Sequence, residues 1–212
     1  MKRGAAIIFL GLAITFAGIA ISAAESLSDA LSILKEQDGA SRAKPILEKL
    51  IAETSRETDR EKAQFYLSGC EYQLGNINHA FWMLDRLGRG ASSENLRAAA
   101  LLRLAMLRME QGQDMEGLAS YEALARQFSK SKYAPMAIMV QANYWLLIKG
   151  DKTRSLSLYE SLVQKHPFSE EAKLALSTLP GLRKMTPSEI RKTSEKYVKD
   201  MKATKLKLNK TL

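Results

Sequence analysis

A recurring spacing of about 37 residues constrains this chain more than any other feature of its sequence. A small residue followed at +4 and +7 by bulky apolar ones occurs four times: Ala43, Leu47 and Leu50; Ala80, Leu84 and Leu87; Gly117, Tyr121 and Leu124; Ser155, Tyr159 and Leu162. The steps between the small residues are 37, 37 and 38. With 3.6 residues per turn, +4 and +7 return to one side of a helix, so each triplet forms an apolar face. About five residues before each triplet stands a turn pair: Asp38-Gly39, Gly75-Asn76, Gly112-Gln113 and Gly150-Asp151. Each pair separates a first helix from a second. The spacing predicts first helices over roughly 27–37, 61–74, 95–110 and 134–148, and second helices over roughly 41–54, 77–88, 114–128 and 152–165. The result is an all-α chain of four helical hairpins, in which a hairpin cannot bury its apolar face alone and must stack on its neighbours. Composition agrees, since Ala, Leu, Lys, Glu and Met dominate and runs of Val, Ile and Thr between turn residues are scarce.

The segment from Phe128 to Ala175 carries a denser pattern: Ser129, Ser131, Tyr133-Ala134-Pro135, Gly150-Asp151, Tyr159, Leu162-Val163, His166-Pro167, Ser169 and Ala172. A small residue, an aromatic or leucine at +4 and a leucine at +7, preceded by Gly-Asp, resembles the second half of the tetratricopeptide repeat. The resemblance covers residues 26–180 and extends to bacterial periplasmic and outer-membrane members, such as the Tol-Pal cell-division coordinators and the outer-membrane assembly lipoproteins. It implies a right-handed superhelical stack of about four repeats followed by C-terminal helices. It also implies a concave groove, lined by the first helices, that receives segments of other proteins. In that register Phe65, Tyr72, Leu102, Met106, Met109, Val140, Tyr144 and Leu147 face the groove. Methionine and aromatic side chains suit adaptable binding of an amphipathic or extended peptide. The competing assignment for each is packing between hairpins, and residues 136–148, apolar nearly all round, call for burial on several faces.

The ends of the chain differ from this body. Lys2 and Arg3 precede an apolar run from Ala5 to Ile21 and then Ser22-Ala23-Ala24, the layout of an export signal cleaved before Glu25. An uncleaved membrane anchor fits the same run. Either way the expected compartment is the periplasm or cell envelope. Residues 25–182 balance 20 basic against 20 acidic side chains, whereas residues 183–212 hold 10 basic and 3 acidic ones. The high net charge therefore belongs to the tail, through Arg191, Lys192, Lys196, Lys199, Lys202, Lys205, Lys207 and Lys210 among others. Such a tail suits an anionic membrane surface or an acidic partner, or serves solubility alone; export makes nucleic acid the least favoured target. Before it, Ser169 suits the cap of a helix in which Ala172, Leu174, Ala175 and Leu176 close the stack, and Pro180-Gly181 is expected to end that helix. Thr186-Pro187-Ser188-Glu189 has the spacing of a capping box, which opens a last helix, and disorder is expected from Thr204. The domain division is thus 1–24, 25–180 and 181–212.

No metal-ligand cluster, phosphate loop or nucleophile motif appears, so no catalytic residue, metal or cofactor is assigned. His79 and His166 stand apart from any second ligand and suit solvated or capping roles. Cys70 is the only cysteine and reads as a small buried hydrophobe. The expected function is a binding scaffold without catalysis. Its rivals are a small exported hydrolase on a helical frame and a structural subunit of an envelope complex.

Overall fold

The computed structural model describes residues 27–211, and the expected export signal, residues 1–24, lies outside them. The described residues form ten helices: α1 (Leu27–Ile33), α2 (Gly39–Glu53), α3 (Glu57–Gln73), α4 (Ile77–Gly90), α5 (Glu94–Glu110), α6 (Asp114–Gln127), α7 (Ala134–Leu147), α8 (Lys152–Lys165), α9 (Glu170–Lys184) and α10 (Pro187–Thr211). There is no strand among them. The all-α assignment and the hairpin order hold. The helices group into two compact units, residues 27–104 and 105–211 of the described chain, with the boundary inside α5.

The hairpin turns show why the period is so regular. Gly75, Gly112 and Gly150 have φ of 87°, 75° and 66°, the left-handed region in which a Cβ is strained. In the first hairpin Asp38, at φ 55°, takes that place, and Gly39 is already helical and packed against the backbone of Ile33. The left-handed residues are therefore Asp38, Gly75, Gly112 and Gly150, each five before the small residue of its triplet. Because glycine relieves the strain at Asp38 but alanine creates it at Gly75, Asp38→Gly should be neutral or mildly stabilising. Gly75→Ala should cost about 1 kcal/mol. Equal melting shifts for the two variants in thermal denaturation would contradict this account of the turns.

In the N-terminal unit α1 packs on α2, α2 on α3 and α3 on α4. Its core joins Ala43 and Leu47 of α2, Ala63, Leu67 and Cys70 of α3, and Met83 of α4. Cys70 is fully buried, and desolvation together with the neighbouring Glu71 carboxylate pushes its thiol up, away from the reactive thiolate. In the C-terminal unit α7 packs against α6, α8, α9 and α10, which explains its apolar surface on nearly every side. Tyr159 and Leu162 of the fourth triplet meet Ile138, Ala142 and Leu146 of α7 there.

The end of the unit departs from expectation in two places. Helix α9 does not stop at Pro180-Gly181 but continues to Lys184. Pro180 is exposed, and Leu176, whose carbonyl loses its intrahelical donor, is 51% exposed, so solvent can replace the missing bond. The longer helix buries Ala172, Ala175, Leu179 and Leu182, spaced as one face, and leaves Leu174 and Leu176 outside rather than closing the stack. Lys152 Nζ secures the extension by donating to the carbonyls of Arg183 and Met185 at 2.8 and 2.5 Å. The two caps form as expected. Ser169 Oγ accepts from Ala172 N at 3.1 Å, and Thr186 N donates to Glu189 Oε2 at 2.7 Å while Glu189 N donates to Thr186 Oγ1 at 3.3 Å. Helix α10 then runs past Thr204 to Thr211. Met, Ala, Leu and Lys are good helix formers and no Gly or Pro interrupts them, so local propensity opposes the disorder that the charge suggested.

Candidate functional site

Each unit carries part of the set expected to face a partner. In the N-terminal unit Phe65 and Tyr72 lie on α3 and Leu102 on α5, all half-buried. Phe65 meets Tyr66 edge to face with centroids 5.4 Å apart, and the Arg103 guanidinium stands 5.6 Å from the Phe65 ring. Arg103 also fills the space beside Gly69, where an added Cβ would lie 2.5 Å from its guanidinium nitrogen. The face is thus amphipathic, with an aromatic base and a cation over it.

Behind it a buried carboxylate ties three helices. Glu71 of α3 is 2% exposed, accepts from Asn76 Nδ2 at 2.6 Å and pairs with Lys44 Nζ of α2 at 3.0 Å. Burial pushes its carboxyl up, but the Asn76 amide and the Lys44 ammonium outweigh this and hold it below the ordinary range. His79 of α4 stands 3.6 Å from the same carboxylate. His79 also stacks on Trp82 at 5.9 Å, and Arg86 lies 5.1 Å from the Trp82 ring while donating to Gln64 at 2.7 Å. Trp82 is 57% exposed. The sequence reading missed this stacked row, although positions 79, 82 and 86 share one helical face.

The C-terminal unit places Met106 and Met109 on α5 and Val140, Tyr144 and Leu147 on α7. Met106 is 40% exposed and Val140 half-buried. Met109 packs on α6 at Gly117, where an added Cβ would lie 2.8 Å from its sulfur. Leu147 leans on the core formed by α7, α8 and α9. Tyr144 is only 4% exposed and its hydroxyl donates to Asp114 at 3.1 Å, so it packs between helices rather than facing a partner.

The same unit has a cleft of about 630 Å³ framed by α6, α7 and α8. Arg126, Lys130 and Lys165 stand at its rim with Glu122, and Ala125, Ile138 and Leu158 form an apolar floor. His166 lines it as well. It takes the capping role, as the C-cap residue of α8 whose N–H donates to the Leu162 carbonyl at 2.9 Å, while its Nε2 is buried without a hydrogen-bond partner rather than solvated. Burial and the adjacent Lys165 lower its pKa against the opposing pull of Glu171, which favours the neutral ring. The sequence reading did not find this cleft, since its residues come from three helices and two loops.

On α10, Arg191, Lys192, Lys196 and Lys199 are exposed, while Ile190 is buried against the turn at Gly150. Lys202, Lys205, Lys207 and Lys210 follow on the same helix. Among the described residues no group of three His, Cys, Asp or Glu could hold a metal, and no helix is long and apolar enough to cross a membrane.

Helical hairpins that pack consecutively, with left-handed turns at a fixed distance from a small packing residue, define a helical-repeat protein. Residues 99–131, which cover most of α5, its turn and α6, match the family model for the tetratricopeptide repeat. The match falls on the third hairpin and overlaps the segment 128–175, in which the residue pattern looked densest, only at residues 128–131. No curated protein and no solved structure matches the chain.

Proposed function

We propose that this chain is an exported scaffold of the bacterial cell envelope, which binds segments of other proteins on the first helices of its hairpins and catalyses no reaction. The observation that carries this reading is the tetratricopeptide repeat at residues 99–131 set among hairpins whose first helices keep Phe65, Tyr72, Met106 and Val140 within reach of solvent. Repeats of this type serve as binding surfaces for proteins. The basic, then apolar, then small-residue order of residues 2–24 supports export. Exposed cations along α10 support a second, salt-sensitive contact with an anionic membrane surface.

In-cell crosslinking followed by identification of the captured proteins tests the reading. Tyr72→Ala and Met106→Ala, each in its own unit, should reduce capture of an envelope protein several-fold with melting temperatures shifted by only a few degrees. Capture that falls strictly in step with melting would reassign these side chains to packing. The N-terminus of the isolated protein should begin at or near Glu25, and a retained Met1 on membrane-bound protein would favour the anchor.

A further inference from the structure

We infer that the cleft between α6, α7 and α8 binds an extended acidic peptide, with its carboxylates on Arg126, Lys130 and Lys165 and an apolar side chain on the floor of Ile138 and Leu158. The proposal rests on the scaffold reading and places a distinct recognition site on it. It uses none of the first-helix residues assigned to partner binding above, although α7 supplies Ile138 and Gln141 to its floor.

Two observations carry it. First, charge is available: none of Arg126, Lys130 and Lys165 has a hydrogen-bond or ion-pair partner among the described residues, whereas Lys44, Lys152 and Arg60 are all engaged. Cations converging on one cleft without internal partners are poised for an external carboxylate. Second, the cleft is two-sided. Its floor offers apolar surface that a small inorganic anion could not use, and a peptide alternating acidic and apolar side chains would satisfy both sides. No Phe, Tyr or Trp is among the described residues that line it, so a nucleobase would find no such ring to stack on, and Glu122 at the rim opposes a dense run of phosphates.

The volume fits a few residues of chain rather than a folded domain. Specificity then comes from the spacing of the cations. Lys165 ends α8 and Arg126 lies near the end of α6, so both cations stand at helix C-termini, where the dipole favours them, and both lie on the rim rather than in the core. Changing them leaves the packing of the unit intact.

The test is fluorescence anisotropy of the purified full chain with three labelled nonamers: alternating Glu and Leu, alternating Lys and Leu, and Glu with Ser in place of Leu. Binding of the Glu-Leu peptide should exceed that of the other two by about tenfold, and should weaken between about 50 and 500 mM salt. Arg126→Glu with Lys165→Glu should reduce it by about tenfold or more, with the helical circular dichroism retained and the melt lowered by only a few degrees, since the reversal opposes both helix dipoles. Leu158→Ala should lower affinity while leaving the salt dependence in place. Failure of the wild-type chain to bind the Glu-Leu peptide, or equal binding by the charge-reversed variant, would overturn the proposal. Equal binding of the Glu-Ser peptide or of inorganic polyphosphate would also overturn it, reducing the cleft to a site for anions in general. Crosslinked partners retained by the charge-reversed variant in cells would show that the scaffold reading stands without this site.

Discussion

Truncating Leu162 to Ala should destabilise the C-terminal unit by about 2–5 kcal/mol, as expected for a fully buried leucine. Leu162 is fully buried at the +7 position of the fourth triplet, and its neighbours Ile138, Leu146 and Ala175 come from two other helices. They cannot collapse together into the space without moving α7 or α9, so a cavity persists. Leu174→Ala, a change of the same chemistry at a side chain 58% exposed, should stay within about 0.5 kcal/mol. Hydrogen exchange localises the effect: amides of α7, α8 and α9 should lose protection in Leu162→Ala, and similar protection in both variants would refute the assigned face.

The second large effect concerns Glu71. Replacing it with Ala removes the acceptor of both Lys44 and Asn76 and should cost about 1–3 kcal/mol; the loss is moderated because Lys44, 30% exposed at its side chain, can turn to water. The pH dependence has a definite sign. A carboxyl held below its ordinary value contributes stability that is full above that value and is lost as pH falls through the depressed one. Lys44, whose pKa is raised chiefly by its hydrogen bond to Glu71 against its own desolvation, contributes in the other direction. Its share is full below the ordinary lysine value and fades as pH rises through the raised one. Urea unfolding at about pH 7 and about pH 3 should therefore show a steeper acid loss in the native chain than in Glu71→Gln. Parallel acid limbs would show that this carboxylate does not govern the transition.

The contrast between what could and could not be read in advance follows from the range of the interactions. Hairpins were legible because the apolar triplets and the left-handed turns are local signals, complete within a few residues of chain. The burial of Tyr144 was not, since it depends on Asp114, thirty residues away in sequence. Pro180 shows local chemistry giving the wrong answer: a proline and a glycine in succession ordinarily stop a helix, yet burial of Leu179 and Leu182, with Lys152 gripping the last carbonyls, carries α9 through them. Of the candidate surfaces, the first-helix residues could be named from register alone. The cleft could not, because Arg126, Ile138 and Lys165 share no periodicity and are brought together only by the packing of three helices.

The constant five-residue step from the left-handed residue to the small packing residue has a consequence for inheritance. A whole hairpin of about 37 residues can be duplicated or lost as a cassette, since each copy brings its own turn and its own packing face. A single codon inserted between Gly75 and Ala80 is another matter. It would rotate Ala80, Leu84 and Leu87 together by about 100° around the helix, carrying the face away from its neighbours. The 128–133 connection between α6 and α7 is the longest between described helices and sits between cassettes rather than within one. Lineages descended from such a chain should accumulate length changes in connections of that kind and conserve the count inside every hairpin.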